Sequence, residues 1–268
     1  MRATTPRLVK TLFLSDIHLG YKRARARELA AFLQGIDAEC IILAGDIVDH
    51  LSLAQRFFWN HEHTQVVRTL LAKRRAGARL IYIPGNHDSN LSIVAEMLQG
   101  QVEVHREWVH RTARGERLLV VHGDQFDSEM AHACPKWVGW LGNLLYDFSI
   151  VVNDRLNDVL RVMGGPYWPL AERLKLAIGT SARYIERFEA VAARYAGEQG
   201  FDGILCGHIH RASLRWVGST LYCNTGDWVE TCSAVIEDRD GELKLLKAGR
   251  AQAFGYHRPI EPLRAPEY

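Results

Sequence analysis

Hydrophobic positions in the first half of the chain switch repeatedly between a strand-like and a helix-like period. Val9–Ser15 (VKTLFLS) is a short β-rich run that ends on Asp16 and His18. From Arg25 to Ile36 the residues Leu29, Phe32, Leu33 and Ile36 recur at helical spacing on one face, which predicts a helix. Cys40–Ala44 (CIILA) is a continuous apolar run of buried-strand type and ends at Gly45-Asp46. A helical stretch is expected from Ser52 to Arg75, after which Arg79–Ile83 (RLIYI) leads into Pro84-Gly85-Asn86-His87-Asp88. Val102–His110 and Arg117–Val121 read as a hairpin turning near Arg114-Gly115, with His122-Gly123-Asp124 at its end. Gly203–Cys206 (GILC) runs into Gly207-His208-Ile209-His210. Leu214–Asn224 and Ser233–Ala248 are further strand segments, with Asp240-Gly241 as a hairpin turn, and an irregular tail follows from Gly249.

Between Phe126 and Gly200 the pattern becomes purely helical. Trp137, Trp140, Leu141, Leu144, Leu145, Phe148, Val152, Leu156 and Val159 recur at helical spacing, with Asn143, Asp147, Asp154, Arg155 and Asp158 between them. Gly164-Gly165-Pro166 breaks that helix, and a second runs from Pro169 to Ala196. The expectation is an α/β core spanning residues 1–268 as one domain, interrupted by a helical insertion over 127–198.

Composition narrows the class. A chain of 268 residues, 47% apolar and 24% charged, can bury a sizeable core in the manner of a soluble globular protein. Thirty-three Lys and Arg against 31 Asp and Glu argue against a strongly basic nucleic-acid binder. No signal-peptide core precedes Lys10, and no apolar run reaches the length of a membrane span. The five cysteines (Cys40, Cys134, Cys206, Cys223, Cys232) lack metal-type pairing and read as reduced thiols of a cytoplasmic chain.

Twelve histidines are the unusual feature, and their placement carries the chemistry. Five polar clusters each follow a predicted strand: Asp16-x-His18, Gly45-Asp46-x-x-Asp49, Gly85-Asn86-His87-Asp88, His122-Gly123-Asp124 and Gly207-His208-x-His210. Strand ends on one edge of a sheet lie side by side, so these residues can converge. Carboxylates, imidazoles and one amide oxygen together suit Mn, Fe or Zn better than Ca or Mg, which prefer all-oxygen sites. The donor count fits two divalent ions, with Mn the first expectation. Asp16, His18, Asp46 and His210 would hold one, and Asp46, Asn86, His122 and His208 the other, with Asp46 as the bridge. Such a pair can grip a phosphoryl oxygen and activate water for in-line attack. His87, beside a ligand but not assigned to a metal, is placed to orient a phosphate or to protonate the leaving oxygen. Each cluster alone has a structural explanation, such as a capped turn or a hydrogen-bonded histidine. All five in this order do not. His50, His61, His63, His105, His110, His132 and His257 lack such contexts and read as surface or packing residues.

With these motifs the sequence resembles the calcineurin-like metallophosphoesterases, whose pattern D-x-H, G-D-x-x-[DE], G-N-H-[DE], H-G-D, G-H-x-H is matched in full from Asp16 to His210. The resemblance implies a four-layered α-β-β-α sandwich, the ligand set above, and His87 as the catalytic histidine. The helical insertion and the segment Asn224-Thr225-Gly226-Asp227-Trp228 look most like the UDP-2,3-diacylglucosamine hydrolases of lipid A biosynthesis, which cleave the pyrophosphate of a UDP-linked acylated sugar beneath a helical lid. Those enzymes typically carry Arg where this chain has His87. The resemblance implies a nucleotide-linked lipid as substrate and peripheral contact at the inner membrane. Lys175 and Arg183 on the second insertion helix are candidates for substrate phosphates, beside Asn86 and His87. The competing readings are a phosphatase or phosphodiesterase for a soluble substrate, a nuclease, and a metal-free scaffold. The scaffold would be expected to have lost ligands, and none is missing.

Overall fold

The computed structural model describes residues 6–88, 101–131, 179–248 and 254–255. The apolar face from Trp137 to Val159, the Gly164-Gly165-Pro166 break, Cys134, His132, His257 and Lys175 lie outside the described residues.

Seven strands form the first sheet, in the order β12-β11-β10-β1-β2-β3-β4. These are β1 (Arg7–Leu14), β2 (Ile36–Ala44), β3 (Arg79–Ile83), β4 (Glu103–Val104), β10 (Ser233–Glu237), β11 (Leu243–Lys247) and β12 (Phe254–Gly255). The central strands β1, β2 and β3 run parallel, and β10 pairs antiparallel to β1. The second sheet has the order β5-β6-β7-β9-β8, from β5 (Trp108–Arg111), β6 (Arg117–Val120), β7 (Gly203–Cys206), β8 (Ser213–Val217) and β9 (Thr220–Asn224). Here β6, β7 and β9 are parallel.

Strand alternation explains how the sheets stack. On β1, Phe13 faces one side while Leu12 and Leu14 face the other. Phe13, Ile42, Ile81 and Val235 of the first sheet meet Leu118, Val120, Leu205 and Cys223 of the second in one buried cluster between them. Leu12, Leu14, Ile41, Leu43 and Ile236 pack outward against helix α1 (Ala26–Gln34) through Leu29 and Leu33, and against α3 (His61–Arg75) through Val66 and Leu70. On the second sheet, a Cβ added to Gly197 would sit 2.9 Å from Thr220 Oγ1, so the last turn of the helix Gly179–Glu198 lies against β9. The result is a mixed α/β fold of two sheets flanked by helices.

Between the sheets, Glu237 on β10 is fully buried yet fully engaged. Thr11 Oγ1 on β1 donates to it at 2.8 Å, His110 Nε2 on β5 lies 2.7 Å away, and the Ala113 N–H donates at 2.7 Å. Burial alone would raise its carboxyl. The His110 and Ala113 contacts and the Thr11 hydroxyl outweigh burial and hold it below the usual range.

Several elements depart from the sequence expectation. The single helix expected over Ser52–Arg75 is two, α2 (His50–Gln55) and α3, separated by an extended Arg56 and an Asn60 whose side chain accepts from the His63 N–H and starts α3. The expected Val102–His110 strand is divided between sheets: β4 pairs with β3, and only β5 forms the hairpin with β6. Leu214–Asn224 is a hairpin turning at Gly218. Ile36 begins β2 rather than ending α1, and β12 lies within the segment expected to be irregular.

By contacts the chain divides into two compact units, 1–124 with 192–268, and 125–191. In the second, α4 (Asp127–Ala131) and α5 (Gly179–Glu198) carry its described ends. Phe126 meets Phe188 edge-on at 5.8 Å, both rings buried, and Tyr184 Oη reaches Asp127 at 3.5 Å. None of the described helices is long and apolar enough to cross a membrane.

Candidate metal centre

Backbone pairing continues past the strand ends and draws the five clusters together. The Asp16 N–H donates to Gly45 O and the His18 N–H to Asp46 O, both at 2.9 Å. Beyond β6 and β7, the Gly207 N–H donates to His122 O at 3.0 Å. Gly45 takes a positive φ of 91°, and a Cβ there would overlap the His122 ring. A Cβ on Gly207 would overlap the Asp16 carboxylate and the Ser15 hydroxyl. These two glycines let the sheets' edge loops touch.

Two groups of donors hold only predicted ligands, Asp16, His18 and His210 in one and Asp16, Asp46 and His122 in the other; a third, His18, Asp49 and His87, lies beside them, and in each the ligand atoms fall within 4.8 Å of one another. His210 Nε2 lies 3.2 Å from Asp16 Oδ1 and 3.4 Å from His18 Nε2. His122 Nε2 lies 3.3 Å from Asp46 Oδ2 and 3.2 Å from Asn86 Oδ1. Asp46 Oδ2 is also 3.9 Å from His18 Nε2, so this one oxygen faces both groups. His208 packs its ring 5.2 Å from that of His122. Asn86 sits at the exposed rim.

The donor chemistry fits a pair of cations. His122 Nδ1 lies 3.0 Å from Ala44 O and His18 Nδ1 lies 3.1 Å from Asp49 Oδ2. An imidazole that gives its Nδ1–H to an oxygen presents a lone pair at Nε2. Nε2 of His122 faces a carboxylate and an amide oxygen, and Nε2 of His18 faces His210 and, farther off, Asp46, a gathering of acceptors that positive charge, a proton or a metal ion, completes. Protonation behaviour says the same. Burial opposes a charge on His122, yet Asp46 and Asp16 push its imidazole up to about 10. Burial likewise works against an ionised Asp16, and His210, His122 and His18 still hold it well below the carboxylate range. The acids demand cations, which protons supply poorly and divalent metals supply well.

The backbone carries a further mark. Among the described residues, six other than glycine have positive φ, and five of them are Asp16, His18, Asp46, His208 and His210, at 50° to 68°. The sixth is Cys232. Left-handed conformations are uncommon outside glycine and gather where structure holds side chains for function.

His87 stands beside these groups. Its N–H donates to Asp46 Oδ1 at 2.8 Å, and its Nδ1 lies 3.2 Å from Asp49 Oδ1. Its hydrogen bond to Asp49 raises its proton affinity, which burial opposes and the Asp46 charge reinforces. Asp49 is the residue to which the motif gave no role. It caps α2 by accepting from the Ser52 N–H, and it holds both His18 and His87. Only its position in G-D-x-x-D marked it. Asp88, by contrast, receives the Ile47, Val48 and Gly85 N–H groups and shapes the loops. Arg183 is exposed on α5 in the unit 125–191, and Lys175 lies outside the described residues.

Residues 9–212 match the profile of the calcineurin-like phosphoesterases, three quarters of the chain and all five clusters. The chain belongs to that family. It is therefore a metal-dependent hydrolase, and the family implies divalent metal ions. No curated protein matches this phosphoesterase. Among solved structures it is similar to an archaeal phosphodiesterase at 13% identity, covering 88% of this chain and 98% of that one with a TM-score of 0.47. It is also similar to the E. coli phosphoesterase Yfce at 16% identity, covering 91% and 95% with a TM-score of 0.46. Vps29 from Entamoeba histolytica, complexed with zinc, is similar at 15% identity, covering 92% and 96% with a TM-score of 0.40.

Proposed function

We propose that this phosphoesterase uses two divalent ions, Mn first among them, to hydrolyse the pyrophosphate of a nucleotide-linked lipid such as UDP-2,3-diacylglucosamine, giving UMP and the lipid phosphate. The observation that carries the chemistry is Asp46, whose Oδ2 faces both His18 and His122. In this reading Asp16, His18, Asp46 and His210 hold one ion, and Asp46, Asn86, His122 and His208 the other. When bound, such ions polarise the phosphoryl oxygens and activate water. Asn86 adds a neutral oxygen and keeps the pair electrophilic. Asp49 anchors Nδ1 of His87, which leaves Nε2 to meet the substrate and to pass a proton to the departing oxygen.

The lipid is supported by the apolar Trp137–Phe148 pattern between the His122 and His208-His210 clusters, by the Asn224–Trp228 segment, and by Lys175 and Arg183 as candidates for substrate phosphates. Such an insertion over 127–198 would act as a lid at a cytoplasmic membrane face. His87, in place of the Arg typical of lipid A enzymes, favours a second reading: a phosphodiesterase for a soluble nucleotide or other phosphate ester. Turnover of acylated and deacylated UDP-sugar, beside a small chromogenic phosphodiester, separates the two. The lipid reading expects Trp140→Ser to weaken turnover of the acylated substrate and spare the chromogenic one. Equal rates on acylated and deacylated substrate would overturn it.

A further inference from the structure

Ser15 follows β1 directly, next to Asp16, and is fully buried. A serine without solvent must place its proton and lone pairs among protein atoms. Three oxygens surround its Oγ: Asp16 Oδ2 in a short contact, Thr225 Oγ1 at 2.5 Å, and Gly226 O at 3.2 Å. The single Ser15 proton has three acceptors to choose from, an ionised carboxylate, the neutral Thr225 hydroxyl oxygen and a neutral carbonyl. The charged acceptor makes the stronger bond. With that proton committed, the Thr225 hydroxyl is the donor that completes the Ser15 oxygen. The hydroxyls form a chain running Thr225 to Ser15 to Asp16.

That chain distinguishes the two oxygens of Asp16. Oδ2 receives the Ser15 hydroxyl and the nearer arm of a forked His208 N–H, 3.0 Å away against 3.2 Å to Oδ1. Oδ1 is the oxygen beside His210 Nε2, at 3.2 Å. The terminal torsion of an aspartate is broad and two-fold, so the side chain alone does not keep this choice. Thr225 is well placed to enforce it. Its N–H donates to Cys206 O at 3.1 Å, its carbonyl accepts from Ser233 Oγ at 2.7 Å, and the Trp228 N–H ties the same turn to Asp16 O at 2.9 Å. The turn after β9 thus grips the end of β1 from behind the site.

We propose that Ser15, backed by Thr225, is a positioning residue that turns one oxygen of Asp16 toward the ion shared with His18 and His210. This rests on Asp16 being a ligand, as in the function proposed above. The test uses metal-stripped full-length protein titrated calorimetrically with Mn²⁺, with electron paramagnetic resonance to report paired and isolated ions. Groups that orient ligands typically contribute about 10–100-fold to metal affinity. Ser15→Ala should weaken one of the two Mn²⁺ ions by that factor and spare the other, replacing the coupled-pair signal by that of isolated Mn²⁺. Thr225→Val, which keeps the shape and removes the donor, should weaken the same ion by a smaller factor. Wild-type affinity for both ions in folded Ser15→Ala, while Asp16→Ala loses one, overturns the positioning role alone. Two wild-type ions in Asp16→Ala overturn the ligand assignment and this role with it. Should Ser15→Ala not fold, unchanged affinity in Thr225→Val overturns the chain of hydroxyls.

Discussion

Two buried polar clusters in the same structural unit are built on opposite plans. Around Glu237, each carboxylate oxygen meets a donor, and Thr11, His110 and Glu237 all lie on regular strands. Around Asp46, acids, an amide oxygen and imidazole Nε2 atoms crowd together in need of positive charge, and five of the contributing residues adopt left-handed backbone. The first cluster is complete as it stands. The second is complete only with cations. Burial of acids and histidines therefore does not identify a functional site. Mismatched donors and acceptors on a strained backbone do.

The contrast can be broken most severely at Asp46. Asp46→Ala removes an oxygen facing both donor groups, so turnover should be lost and bound metal should fall when measured by elemental analysis. Two retained ions with near-normal activity would remove it as the bridge. Next in size is His87→Ala. General acid catalysis typically supplies about 10²–10⁴-fold, so the rate should drop on that scale while the metal content stays intact. Loss of metal from folded protein would make His87 a ligand instead.

Glu237→Gln addresses the other cluster. It should leave turnover unchanged at low temperature and cost stability of about 1–3 kcal/mol, because His110 loses its charged partner in a buried place. Glu237 also predicts a pH dependence. Its carboxyl is held below its ordinary value of 4.5, so its stabilisation is present above pH 4.5 and lost as pH falls through the lower, folded-state value. Denaturation curves of the wild type should weaken in that acidic window more steeply than those of Glu237→Gln. Parallel curves would mean that Glu237 contributes no pH dependence.

The smallest effect tests the strain. His208 holds φ at 68°, where glycine is relaxed and other residues give up about 1–2 kcal/mol. His208→Gly should therefore raise the melting temperature of metal-stripped protein slightly while weakening metal binding. A lower melting temperature in the stripped variant would place the strain elsewhere.

The sequence makes one of these clusters visible and hides the other. Asp16, Asp46, His122 and His210 each follow an apolar run, and the fold needs only parallel strands to gather them. Nothing local marks His110 as the partner of Glu237, 127 residues away, because that pairing arises from sheet stacking. The same limit applies to β4. Val102–His110 is one plausible strand by composition, and which sheet claims each half is a tertiary outcome. The break between α2 and α3 has no glycine or proline to announce it, only Asn60 acting as a cap. Asp49 was legible as part of a motif, but its grip on two histidines needed geometry.

The separation in sequence between Asp16 and His210 has a temporal consequence. These neighbours lie 194 positions apart, so a ribosome has made β1, β2, β3, β6 and β7 before His208 and His210 exist. Contacts of such long range close late and slowly in folding. A chain grown only as far as His122 thus offers a metal Asp16, His18, Asp46, Asn86 and His122 without His208 or His210. Full loading with both ions becomes a checkpoint that only a finished molecule passes, and the full metal content of purified protein doubles as a measure of correct assembly.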